Sequence, residues 1–141
     1  MKKNQNKGVK EPIKRHNWKG KKILIVEDVE TNNMFFEAAL QKTRAELIWA
    51  GDGLEALNAI KVNPDVDVIL MDMRLPNMDG FEATKRIKDI NNNIPIIAQT
   101  TYILPDEKEL IFNAGCDDYL PKPIRFESLL HLLAKFLGPG N

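Results

Sequence analysis

Cysteine is all but missing: Cys116 stands alone among 141 residues, and one thiol excludes an internal disulfide. The chain must hold its fold by burial, which suits a reducing compartment, and a cytoplasmic location is expected. Histidine is as scarce. Neither His16 nor His131 has a Cys or His neighbour at metal-binding spacing, which removes a zinc site of the usual kind. No apolar run approaches the roughly 18 residues that a membrane span needs, so no membrane contact is expected. The opening MKKNQNKG is basic but lacks the apolar stretch that follows in a secretory signal. Net charge is zero only in the sum: residues 1–22 carry nine Lys or Arg against one acid, Glu11, and residues 23–141 carry eleven against nineteen acids. A basic arm precedes an acidic body.

Residues 1–20 are polar and include Gly8, Pro12 and Gly20. Such a stretch buries too little apolar surface to offset its ordering entropy, which predicts a flexible linker or arm. Basic arms attract nucleic acid, but no aromatic pattern beyond Trp18 accompanies this charge, and no direct nucleic-acid partner is expected. Residues 21–137 form the expected domain and 138–141 a short tail. A hydrophobic content of 43% is enough for one core.

Within the domain two kinds of segment alternate. KKILIVE, ELIWA, VDVILMD, IPIIAQT and DYLP are apolar on successive residues and rich in β-branched types, as buried parallel strands are. Helical patterns cover 30–43, 53–63, 81–91, 106–113 and 125–136. The last shows a core-facing stripe at Phe126, Leu129, Leu130 and Leu133. Five such βα units predict an α/β fold, an open parallel sheet with helices on both faces.

Sites in such sheets form beyond the carboxyl ends of the strands, where strand order reverses. The first strand ends in Glu27 and Asp28, the third in Asp72, the fourth in Thr100 and Thr101, and the fifth runs into Lys122. A single Asp after a strand is commonly only a helix cap or turn former. Three carboxylates converging on one crevice are another matter: each close pair costs about 4 kcal/mol at 4 Å and an effective dielectric near 20. A positive charge must sit among them. Mg²⁺, a hard cation that keeps several waters, suits a site with few carboxylates, and Lys122 brings a fixed charge to the same place.

Four separated motifs, Glu27-Asp28, DMRLPNMDG from Asp72, IIAQTT, and AGCDDYLPKP, resemble those of the receiver domain of two-component response regulators over about residues 21–137. The resemblance implies a flavodoxin-like (βα)5 fold with sheet order 2-1-3-4-5. It implies a non-enzymatic regulatory domain that takes a phosphoryl group onto Asp72 from the phosphohistidine of a histidine kinase or histidine phosphotransfer domain. Asp28 and Asp72 would bind Mg²⁺ directly, Glu27 through a water, and the backbone carbonyl of Arg74 would be a further ligand. Lys122, before a cis Pro123, would pair with the added phosphate. Thr100 and Tyr119 match the switch pair that reshapes the surface of the fourth helix, fifth strand and fifth helix, through which a homodimer is a further expectation. Thr101 departs from the alanine usual after the switch threonine.

Two other classes remain open at this point. An aspartate-nucleophile phosphatase also uses a strand-end Asp and Mg²⁺, but carries a second acid two residues on, where Arg74 stands. A pseudo-receiver keeps the fold without the chemistry; the acids, Thr100 and Lys122 speak against it. NWKGKKILIVED resembles the approach to a receiver within a hybrid sensor kinase, with a free single-domain regulator as the rival. In the first helix the adjacent Phe35 and Phe36 point about 100° apart, so one apolar stripe does not bury both. With Phe36, Ala39 and Leu40 inward, Val29, Asn32 and Phe35 fall near the mouth of the crevice as candidate docking residues. Gly80 is read as relieving a tight turn, Gly115 as a C-terminal helix glycine, and Cys116 as a packed, inert thiol.

Overall fold

The computed structural model describes residues 16–101 and 104–140. Five strands, β1 (Lys22–Val26), β2 (Glu46–Ala50), β3 (Val68–Asp72), β4 (Ile96–Thr100) and β5 (Asp118–Pro121), alternate with five helices. These are α1 (Glu30–Leu40), α2 (Gly53–Val62), α3 (Gly80–Ile90), α4 (Pro105–Ala114) and α5 (Phe126–Leu137). All strand pairs are parallel, in the order β2-β1-β3-β4-β5. The expected flavodoxin-like sheet is therefore present, and its order reverses between β1 and β3.

Strand periodicity divides the core in two. Leu24, Val26, Ile69, Met71, Ile96 and Ala98 face one way, against Ala56 and Ile60 of α2, Ala83 and Ile87 of α3, and Ile111 of α4. Ile23, Ile25, Val68, Leu70, Ile97 and Leu120 face the other way, against Phe36 and Leu40 of α1 and Leu129 and Leu133 of α5. Every residue of β3 and β4 is buried, which is why those segments read as unbroken apolar runs. No helix among the described residues is long and apolar enough to cross a membrane.

Local chemistry sets the helix ends. Asp52 and Asp79 accept from the amides of Glu55 and Glu82 at 2.8 and 2.9 Å, capping α2 and α3. The first helix is shorter than its sequence pattern. It stops at Leu40, and Gln41–Thr43 tightens into a 3-10 turn closed by Arg44 at a left-handed φ of 69°. In α5 the buried stripe is Leu129, Leu130, Leu133 and Leu137, with Phe126 only half-buried. The Lys122–Pro123 peptide is cis.

The segment read as an arm requires a correction at Trp18, which is 1% exposed and belongs to the α1/α5 core. Its amide donates to the Thr43 carbonyl at 2.6 Å and its indole Nε1 to the Gly138 carbonyl at 2.9 Å. His16 stacks on its ring at 4.8 Å and contacts the Pro139 carbonyl through Nδ1 at 2.8 Å. The packed body thus takes in residues 16–18 and the tail as far as Gly140. Of the remainder of the expected arm, Lys19 and Gly20 are exposed and residues 1–15 lie outside the described residues.

Candidate functional site

Three strand ends build the site. Glu27 follows β1 and is buried, Asp28 beside it is exposed, and Asp72 closes β3 at 5% exposure. One carboxylate oxygen from each of the three lies within 4.8 Å of the others. Lys122, beyond β5, places Nζ 3.1 Å from Glu27 Oε1 and 3.2 Å from Asp72 Oδ2. The other oxygens are held by backbone: Asp72 Oδ1 accepts from the Arg74 amide and Glu27 Oε2 from the Val29 amide, both at 3.0 Å. The second carboxylate oxygens are thereby aimed at the crevice.

The loop after Asp72 is folded back tightly. Gly80, at the start of α3, donates to the Met73 carbonyl at 3.2 Å, and a Cβ there would overlap the backbone of Asp72 and Met73. Only glycine permits this approach. The expected tight turn is a close contact between helix and strand.

Burial raises the pKa of the Asp72 carboxyl, and the charge of Glu27 adds to the rise; the Arg74 amide and Lys122 oppose it without cancelling it. For Lys122, burial lowers the pKa, but Asp72 and Glu27 outweigh it and leave a net rise. The ammonium therefore stays charged and bridges two carboxylates. Three hard oxygen donors at this spacing fit Mg²⁺.

The remaining candidates lie around this cluster. Thr100 ends β4, buried, and lines a cavity of about 240 Å³ with Met73, Arg74 and Glu107. The Arg74 side chain points outward, its Nη2 3.9 Å from Glu107 Oε2. Tyr119 is half-buried on β5, edge-on to Phe112 at 6.2 Å with the Lys108 ammonium 5.6 Å from its ring centre. Phe36, Ala39 and Leu40 are the inward set of α1. Asn32 and Phe35 line a groove of about 440 Å³ that also includes Gln99, Lys122 and Ile124, while Val29 stands 46% exposed. Phe35 is half-buried against the core rather than fully outside it.

Two residues escaped the sequence reading. Asn33 donates through Nδ2 to the Glu27 carbonyl at 3.2 Å. Gln99 is 0% exposed, and neither of its carboxamide atoms has a hydrogen-bond partner among the described residues. The signal for Gln99 was present, since it is the one amide in the apolar run IPIIAQT and shares a face with Ile97.

Comparison with known proteins agrees with this fold. The response regulator receiver domain family matches residues 23–134. The polar-differentiation response regulator DivK of Brucella anthropi is 36% identical over 120 residues, which is 84% of this chain and 97% of DivK. Histidine kinase 3 of Arabidopsis thaliana is 32% identical over 156 residues, 95% of this chain but 15% of the kinase. Among solved structures, the receiver domain of a sensor histidine kinase from Pseudomonas aeruginosa has magnesium coordinated in its active-site cleft. It superposes with a TM-score of 0.77 at 35% identity, covering 84% of this chain and 98% of that one. The receiver domain of Saccharomyces cerevisiae Ssk1, crystallised with the histidine phosphotransfer protein Ypd1, gives 0.78 at 29% identity, covering 83% of this chain and 88% of that chain.

Proposed function

The chain belongs to the response regulator receiver domain family, and from that premise we propose that it takes a phosphoryl group onto Asp72 from the phosphohistidine of a histidine kinase or histidine phosphotransfer domain. The observation that carries this reading is the Asp72 carboxylate itself: buried at the end of a central strand, one oxygen on the Arg74 amide and the other facing Lys122 and the crevice. A carboxylate oxygen of Asp72 attacks phosphorus, the P–N bond to the imidazole breaks, and its electron pair stays on the nitrogen, which solvent reprotonates. Hydrolysis of the acyl phosphate by water resets Asp72.

The residues divide the work by charge and position. Asp28, Asp72, Glu27 through a water and the Arg74 carbonyl would hold Mg²⁺, which when bound neutralises charge on the phosphoryl oxygens. Lys122 supplies a second positive charge, for which a compact ammonium is adequate. The acyl phosphate adds about −1.5 to −2 charges; Thr100 at the end of β4 answers by moving its hydroxyl toward them, and Tyr119 follows into the space vacated. Leu110 and Phe112, exposed on α4, belong to the surface so altered, where a second copy or an output partner would read the change. Asn32 and Phe35, which line one groove with Lys122, and the exposed Val29 are assigned to the face that meets the phosphodonor protein.

Two curated relatives are long histidine kinases of which the matching segment is 15% and 14%, whereas DivK matches over 97% of its length. A setting within a hybrid kinase and a single-domain setting are both consistent with these spans. Phosphorylation is tested directly by incubation with Mg²⁺ and acetyl phosphate followed by intact-mass spectrometry. One phosphoryl group is expected on the wild-type chain and none on Asp72→Asn; undiminished labelling of the variant would overturn the assignment.

A further inference from the structure

Gln99 has no use in the scheme above, yet its position is costly. A carboxamide with both ends buried and unpaired among the described residues forfeits the hydrogen bonds it makes to water in the unfolded chain. An apolar side chain of the same length would avoid that cost.

The strand register shows what the carboxamide adjoins. Gln99 pairs with Asp72 on one side and Leu120 on the other. Side chains two apart along a strand share a face. Glu27, Asp72 and Gln99 therefore share the α1/α5 face, each two residues beyond a core residue there: Ile25, Leu70 and Ile97. Lys122 begins on the far side of β4 from Asp72, yet its ammonium reaches both Asp72 and Glu27. Its side chain must cross the end of β4, and it lines the same groove as Gln99. In this arrangement Lys122 gives N–H groups to two carboxylates, and an ammonium has three to give.

A divalent cation held by Asp28 and Asp72, and by Glu27 through a water, would draw on the carboxylates that hold Lys122 and would repel its ammonium. Gln99 lines the same groove as Lys122 and offers a carbonyl oxygen, Oε1, that has no hydrogen-bond partner among the described residues. We propose that Gln99 is a positioning residue for Lys122: its carboxamide receives the ammonium when a cation occupies the carboxylate cluster, keeping it over the Asp72 crevice rather than in solvent. This rests on the reading of the cluster as a Mg²⁺ site. The unpaired carboxamide then raises the free energy of the cation-free form, and cation binding relieves it.

The test uses thermal melting of the full chain across a MgCl₂ titration, for wild type and Gln99→Leu. Without cation the variant should melt higher, because two unpaired polar atoms are gone. Its half-saturating Mg²⁺ concentration should rise by roughly tenfold or more, the factor carried by one hydrogen bond to a charged group. A variant that is stabilised but has an unchanged half-saturation would show Gln99 to be a tolerated core residue and overturn the proposal. A variant that melts lower without cation would overturn it too, since Gln99 then has a partner at rest. Gln99→Met provides the same readouts if the branched side chain does not fit. In the wild-type chain, the side-chain amide NMR signals of Gln99 should shift saturably with Mg²⁺; signals that stay fixed would refute the hand-over. A wild-type chain indifferent to Mg²⁺ would instead refute the metal site, and this inference with it.

Discussion

The Trp18 indole donates to the Gly138 carbonyl at 2.9 Å, tying the segment before β1 to the end of α5. The ring is 1% exposed and packs in the α1/α5 core. Replacing it with alanine removes a large buried side chain and leaves a cavity, so Trp18→Ala should cost about 3–5 kcal/mol in urea unfolding. A chain started at Lys21 should show a similar loss.

The misplacement of Trp18 shows where sequence reading fails. Patterns that repeat were legible: five apolar strands, the α5 stripe, and acids at successive strand ends. Trp18 sits alone among charged residues, and nothing local tells a tryptophan in a linker from one that folds back onto a helix more than a hundred residues away. The α1 boundary fails differently, because no Gly or Pro separates Leu40 from the 3-10 turn Gln41–Thr43, whose Thr43 hydroxyl donates to the Leu40 carbonyl at 2.6 Å. At the site, the carboxylates and Lys122 were legible because each closes or follows a strand. Gln99 was passed over because alternation hides inside a strand buried on both faces.

Lys122 holds two carboxylates that repel each other, and removing one partner of a buried pair leaves charge uncompensated. Lys122→Ala should therefore lose roughly 3 kcal/mol or more of stability at neutral pH. Mg²⁺ should restore much of the loss, by linkage, at a lower concentration than wild type needs, because no ammonium competes for the oxygens. Chemical denaturation with and without MgCl₂ measures both effects. Since the Lys122 pKa is raised in the fold, its contribution is complete below about 10.4, the ordinary lysine value. That contribution should disappear as the pH rises through the raised value.

Asp72 works in the opposite sense. Its folded pKa lies above its ordinary value, chiefly through burial, so the native state holds the proton more tightly than the unfolded chain does. Between the ordinary and the raised value, stability falls as pH rises, and the cost is complete above the raised value. Without Mg²⁺, Asp72→Asn should thus be more stable than wild type at neutral pH, and the difference should shrink as the pH is lowered toward the ordinary carboxylate range. A pH series of melting temperatures for the two proteins shows this convergence.

Cys116 provides a check on the core that does not involve the site. Burial pushes its thiol up to about 11, it is 5% exposed, and its sulfur lies 3.8 Å from the Thr84 hydroxyl. With little thiolate and no access, it should resist iodoacetamide at pH 8 in the native protein and react fully in denaturant. Mass spectrometry reads the outcome, and the native labelling rate should rise in Trp18→Ala as that variant samples the unfolded state.

Phe35 tests the docking face. Phe36 fills the core of α1 while Phe35, edge-on to it at 5.6 Å, lies half-buried at the groove beside Lys122. An aromatic ring at the rim of a groove is a natural hot spot, and truncating one typically costs tenfold or more in binding, at least about 1.4 kcal/mol. Its partial burial also implies a stability cost, smaller than the ~3–5 kcal/mol for a fully buried Phe. The two contributions are separated by comparing donors. With a phosphorylated histidine phosphotransfer protein, Phe35→Ala should slow transfer to Asp72 by about tenfold, whereas labelling by acetyl phosphate, which needs only the crevice, should stay near the wild-type rate. Equal loss with both donors would mean that Phe35 supports the site through the core. No loss with either would mean that its exposure is incidental, and would move the docking face away from α1.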